Sequence, residues 1–253
     1  MNVNYGLPNF NSIYRSFYLG INLLKNIMLL IALLLSACSS GPKIAFDANS
    51  VTPYQNNILK VPVRLHLFRL KHEPNLNANM TNQQLEKLFA EVNLIWRSAG
   101  IEFYVESAYE KPLRYEQDYL DAIHNQDDYS DRELFEEIRR ACDIPRQNNK
   151  VLNLCIPKRM TINIGGLFLP GNNPKVVWPI AMHKGKKPFN PATLAHEIGH
   201  FLGLTHSREE EIFLMRGRGN NIKRHGKYDQ IKLLDSEILI ARNQARQFTT
   251  LKK

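Results

Sequence analysis

The stretch that most constrains this chain is Ala195–His206, AHEIGHFLGLTH, which sets His196, Glu197, His200, Gly203 and His206 in the spacing H-E-x-x-H-x-x-G-x-x-H. If Asn190–Leu204 is helical, His196 and His200 stand one turn apart on one face. Two imidazoles so placed can grip one zinc ion, and Glu197 beside them can reach a water on that ion. A third ligand has to come back to the same metal, so the helix must stop soon after His200. Gly203 supplies the break, because glycine takes positive φ without steric penalty. His206 then follows as the third ligand. A bare H-E-x-x-H can arise on any solvated helix. With 8 His and 13 Gly in 253 residues, the added Gly203 and His206 make chance matches about 600-fold rarer on a random-composition basis. The spacing therefore indicates one catalytic zinc ion held by His196, His200 and His206.

With a methionine downstream, this extended motif resembles the signature of the metzincin metallopeptidases. Met215, nine residues after His206 in IFLMRG, stands where a Met-turn would lie, and Ser207 directly after the third histidine resembles the matrixin branch. Met215 is also ordinary core filler by its neighbours Ile212, Phe213 and Leu214; the resemblance implies both roles together. Some metzincins carry a tyrosine two residues after the methionine. That position is Gly217 here, and nothing in the sequence assigns Tyr228 in its place.

The first forty residues differ in kind. Ile27–Leu35 is a short apolar run, preceded by Arg15 and Lys25 and by no acidic residue. It is too short for a membrane span and fits a signal-peptide core. It leads into Leu35-Ser36-Ala37-Cys38, which resembles the bacterial lipobox; a plain secretory signal ending near a cysteine is the alternative. The resemblance implies removal of residues 1–37, acylation of Cys38 and a membrane anchor through that lipid, with Ser39 pointing to the outer membrane in a Gram-negative cell envelope. Cys142 and Cys155 then remain, an even pair in an oxidising compartment. A disulfide between them would contribute about 3 kcal/mol through unfolded-state entropy; two buried thiols are the alternative.

Residues 38–58 read as a tether, and 59–253 as one domain. Leu59–Leu70 alternates as a strand. Thr81 and Gln84 make a capping box for a helix carrying Leu85, Leu88, Phe89, Val92, Ile95 and Trp96, which Gly100 ends. Ile101–Ala108 alternates again, and NLIWRSAGIEF resembles the helix-to-strand junction of metzincin domains. Tyr109–Pro157 reads as an insertion, with a second capping box at Ser130 and Glu133. Met160–Leu169 returns to strand character, Gly165 and Gly166 hinting at a bulge or close approach. Val176–His183, interrupted by Pro179, suits an edge strand, where the resemblance places extended substrate. Asn190 and Pro191 cap the zinc helix, and Tyr228–Phe248 forms a terminal helix. The expected fold is a single α/β (α+β) domain, metzincin-like, with a mixed twisted sheet, a zinc-binding helix and a C-terminal helix.

The remaining histidines, His66, His72, His124, His183 and His225, are isolated and take no ligand role. Removal of residues 1–37, with Arg15 and Lys25, would leave a net charge of 31 − 24 = +7, which favours anionic surfaces, but no pattern suggests nucleic acid. The sequence says nothing about oligomeric state. Three functions are compatible with these features. The leading one is a membrane-anchored zinc endopeptidase in which Glu197 is the general base for attack by water on a peptide or protein substrate. The others are a non-catalytic envelope-binding lipoprotein and a zinc amidase acting on peptidoglycan stems.

Overall fold

The computed structural model describes residues 57–124, 130–144, 150–160, 165–181, 190–208, 212–217 and 228–249, all within the compact unit Asn49–Lys253. The signal segment, Cys38 and most of the tether lie outside the described residues, as do His183 and His225. Among those described, five strands and five α-helices form a mixed α/β fold. No helix among them is long and apolar enough to cross a membrane.

The first strand, β1 (Leu59–Arg69), is the sheet's organising element. It pairs in parallel with β2 (Ile101–Pro112) on one side and β3 (Leu152–Ile156) on the other. The sheet continues through β5 (Lys175–Val177), parallel to β3, to β4 (Leu167–Leu169), which is antiparallel to β5 and lies at the edge. Alternation along β1 sends Val61, Val63 and Leu65 to one face and Phe68 to the other. Against the first face pack α1 (Asn82–Trp96), α4 (Pro191–Phe201) and α5 (Asp235–Ala245). Against the second pack α2 (Glu116–His124) and α3 (Asp131–Ala141). Covering both faces of a mainly parallel sheet removes its apolar side chains from water on each side.

The local signals at the helix ends are present. Thr81 accepts from the Gln84 N–H while the Gln84 side chain accepts from the Thr81 N–H, and Ser130 and Glu133 repeat the device for α3. After α1 the chain makes a 3-10 turn, Arg97–Ala99, and reverses at Gly100 with φ 59°.

Three expectations need correction. The segment read as an insertion contains β3, a central strand. All five residues of LNLCI are buried, so β3 shows no polar–apolar alternation, as is usual for a strand covered on both faces. Its one polar residue, Asn153, accepts through Oδ1 from the His66 Nε2–H on β1 at 3.0 Å. Second, β5 is not an edge strand. It lies between β3 and β4, and Pro179 falls beyond its end; the edge belongs to β4. Third, helix α5 begins only at Asp235, residues 228–230 forming a separate 3-10 turn.

The opposite edge of the sheet is partly closed by a side chain. Asn93 on α1 accepts from the Phe103 N–H at 2.8 Å and donates to its carbonyl at 3.0 Å. An amide side chain thus takes the place of a neighbouring strand on β2. Cys142, at the end of α3, and Cys155, in β3, form a disulfide with Cα atoms 6.0 Å apart, tying the second helical layer to the sheet.

Helix α5 is fastened by Arg242, which is 2% exposed. Its guanidinium donates to the carbonyls of Ala99, Gly100 and Asn57, so one side chain joins the last helix to the start of β1 and of β2. Arg242→Met keeps much of the stem's volume and removes these donors, and should lower stability by about 2 kcal/mol, because the Ala99 carbonyl loses its charged donor while Gly100 keeps only the Leu59 N–H. Urea unfolding should show a lower midpoint with an unchanged slope.

Candidate metal centre

Helix α4 carries the first two histidines. The Asn190 side chain accepts from the Ala192 N–H and Pro191 fills the first turn, where its missing N–H costs nothing. Ala192, Leu194, Ala195 and Ile198 are fully buried, which leaves α4 little freedom to roll. The helix ends at Phe201 rather than Leu204, and Gly203 turns the chain with φ 86°. His206 then folds back over the helix.

The three rings converge. His206 Nε2 lies 3.2 Å from His196 Nε2 and 3.1 Å from His200 Nε2. The Nδ1 atoms of the two helical histidines face backbone carbonyls, Leu214 for His196 at 2.7 Å and Leu204 for His200 at 2.9 Å. A carbonyl only accepts, so each Nδ1 must carry the proton. The Nε2 atoms of neutral His196 and His200 are therefore bare lone pairs, and a single proton on His206 Nε2 cannot serve both. A shared cation would resolve the conflict. Four-coordinate tetrahedral geometry with metal–nitrogen bonds of 2.0–2.1 Å puts ligand nitrogens about 3.3–3.4 Å apart, close to the spacing seen. Among the described residues, these three histidines form the group able to hold a metal ion.

Electrostatics favour the ligand-ready form. Burial, followed by the neighbouring histidines, pushes His196 down to about 4. Burial and His206 lower His200. Both are thus uncharged near neutrality, with lone pairs available to a metal. His196 is buried, His200 half-buried and His206 exposed, so the site opens on the His206 side.

Glu197 lies between the two helical histidines in sequence. Burial pushes its carboxyl up to about 7, opposed by the Phe168 backbone N–H, which donates to it. A carboxyl poised near neutrality can both take and give a proton. The Phe168 ring stacks on His200 with centroids 6.4 Å apart, so the edge strand β4 runs beside the site.

Met215 is fully buried. Its sulfur and methyl occupy the space in front of Gly199, where an added Cβ would overlap Sδ. The loop after His206 is pinned by Ser207 N–H donating to Met215 O and Gly217 N–H donating to Ser207 O. Gly217 packs on the His206 ring, with His206 Cβ and Cγ 3.4 and 3.5 Å from an added Cβ. Thus His196, Glu197, His200, Gly203, His206 and Met215 come together at one place, whereas Cys142 and Cys155 lie in the other core, between the sheet and the second pair of helices. Of the isolated histidines, His66 pairs with Asn153 and His124 with Glu73. The sequence offered no sign of the Leu204 and Leu214 carbonyls or of Phe168, because backbone groups leave no trace in residue identity.

No protein-family model matches the chain, and no curated protein is significantly similar to it. Among solved structures, one titled "Structure of a chaperone-substrate complex" is similar over 75% of this chain, at 18% identity and a TM-score of 0.39. This chain spans 36% of that chain's length. Likeness that distant carries no argument about function.

If the three rings share one ion, His206→Ala should cut metal retention far more than folding. Loss of one of three ligands should weaken zinc binding by more than about 100-fold, the upper range for changes behind the ligands. Zinc content after dialysis, with circular dichroism on the same sample, checks this. Full retention would mean that the third ligand lies elsewhere, Glu209–Glu211 being the nearest acidic residues in sequence.

Proposed function

We propose that this chain is a zinc-dependent endopeptidase of the metzincin type, anchored to a bacterial cell envelope through lipid on Cys38. The observation that carries the reading is the convergence of three imidazoles, His206 Nε2 lying 3.2 Å from His196 Nε2 and 3.1 Å from His200 Nε2, beside a half-buried carboxyl. Neutral nitrogen donors suit zinc, which takes such sets tetrahedrally and leaves a fourth position free when the protein supplies three.

Zinc in this position would supply Lewis acidity, making a water more acidic and polarising a carbonyl. The residues of the chain do the rest. His196, His200 and His206 hold the ion, with ring orientation set by the Leu214 and Leu204 carbonyls. Glu197 takes a proton from the attacking water and returns it to the departing amine nitrogen as the C–N bond breaks and a C–O bond forms. Burial of Glu197 raises its proton affinity into the range where both transfers are feasible. Strand β4, rather than β5, is then the edge along which extended substrate would pair, since among the described residues it has a neighbouring strand on one side only. Met215, packed on Gly199, supports the helix between its two ligands.

Glu197→Gln should abolish turnover while leaving zinc at wild-type stoichiometry, because residue 197 lies beside the ligands without being one. General acid–base groups contribute about 100- to 10,000-fold, so the loss should fall in that range for full-length, zinc-loaded protein assayed on a mixed peptide library. Activity within about threefold of wild type would take Glu197 out of the chemistry. Metal retention without turnover in the wild type would favour the binding-protein alternative.

The anchor has its own test. Cys38→Ser should move the protein from the membrane to the soluble fraction, since acyl chains would no longer bury methylenes in the bilayer. Unchanged fractionation would remove the lipoprotein assignment and leave the metal centre unaffected.

A further inference from the structure

Gly165 and Gly166 precede β4 and let its backbone lie directly on helix α4. A Cβ built at Gly165 would meet Thr193 Cγ2 at 2.9 Å. A Cβ built at Gly166 would meet Glu197 Cγ at 2.6 Å and Cδ at 3.4 Å. Thr193 and Glu197 are one helical turn apart, so the two glycines address successive steps on the same face of α4. Neither glycine has positive φ. The backbone would accept alanine at both positions, and what excludes it is space alone.

The two contacts differ in consequence. At Gly165 the obstructed atom is a threonine methyl. At Gly166 it is the middle of the Glu197 side chain, between a Cβ fixed on the helix and a carboxylate that receives the Phe168 N–H. Real Cβ atoms do not approach another carbon to 2.6 Å, so either Cγ or the backbone at 166 has to shift. Rotation about the first torsion of Glu197 carries the carboxylate away from Phe168, and a shift of the backbone at 166 carries the neighbouring Phe168 away from the carboxylate. We infer that Gly166 is a positioning residue for Glu197: the missing side chain at 166 leaves the one space in which the carboxylate can rest against the edge strand, beside the histidines. The catalytic consequence rests on the peptidase reading above; the geometric one does not.

The test is Gly166→Ala in the full-length protein, alone and combined with Glu197→Ala, with Gly165→Ala, Thr193→Ala and their double variant as controls. Fluorescein-labelled casein and a mixed peptide library serve as substrates. Misplacing a reacting group by about 1 Å can cost about 100-fold; kcat should fall by that order in Gly166→Ala, with KM within about threefold and zinc stoichiometry unchanged. Amide hydrogen exchange at Phe168 should accelerate in Gly166→Ala to the rate seen in Glu197→Ala. Any loss of Tm in Gly166→Ala should shrink in the Glu197→Ala background, because the obstructing Cγ is then gone and the milder contact with Thr193 Cγ2 at 3.3 Å remains; this double-mutant comparison holds even if the single variant folds poorly. Gly165→Ala should be relieved by Thr193→Ala in the same manner.

Unchanged Phe168 exchange, unchanged kcat in an active protein, or an equal loss of Tm with and without Glu197 would each overturn the inference. A wild type with no turnover on either substrate, together with the expected exchange and Tm coupling, would overturn the peptidase reading alone and leave Gly166 as the residue that positions Glu197.

Discussion

Two hydrogen bonds to backbone carbonyls govern the arrangement at the centre of this molecule. Leu214 O and Leu204 O take up the Nδ1 protons of His196 and His200, and in doing so decide which ring nitrogens remain as bare acceptors. With those protons committed elsewhere, three Nε2 atoms face one another at distances that neutral lone pairs would not choose. The fold holds them there because α4 is buried along most of its length and because the chain after Gly203 doubles back. The Leu214 carbonyl belongs to the same loop that buries Met215, so ligand orientation and packing beneath the helix are set by one segment.

Space around the helix is as tightly allotted as charge. Met215 fills the notch at Gly199, Glu197 fills the notch at Gly166, and Thr193 lies against Gly165. Each of these contacts works because a glycine stands opposite a larger side chain. The edge strand therefore sits directly on the helix, and Phe168 can both donate its amide to Glu197 and stack on His200. A wider separation would leave the carboxyl in water, with the proton affinity of an ordinary glutamate. Burial is thus the cause that ties the sheet's edge to the chemistry of the site.

Much of the scaffold was legible where local rules suffice. Alternation in β1 and in the first half of β2, the capping boxes at Thr81 and Ser130, and Asn190–Pro191 before α4 are short-range patterns whose physics involves a few neighbouring residues. Legibility failed where environment overrides pattern. The central strand β3 is covered on both faces, so it lacks the period of two and its Asn153 looks out of place until His66 is seen opposite. Which short strand forms the edge was also misread, because Pro179 marks a break in pairing without saying on which side the next strand lies.

The sequence by itself determined the histidines able to hold a metal and their order: His196 and His200 one turn apart, a glycine able to reverse the chain, and His206 within reach. That is chemistry written in residue identity and spacing, and spacing along a helix is fixed by 3.6 residues per turn. Only the tertiary structure decided which carbonyls orient the rings, which strand borders the site, and how Gly166, Gly199 and Met215 share the space around α4. Those are contacts between backbone atoms and between residues far apart in the chain, and they exist only once the sheet has brought its edge against the helix.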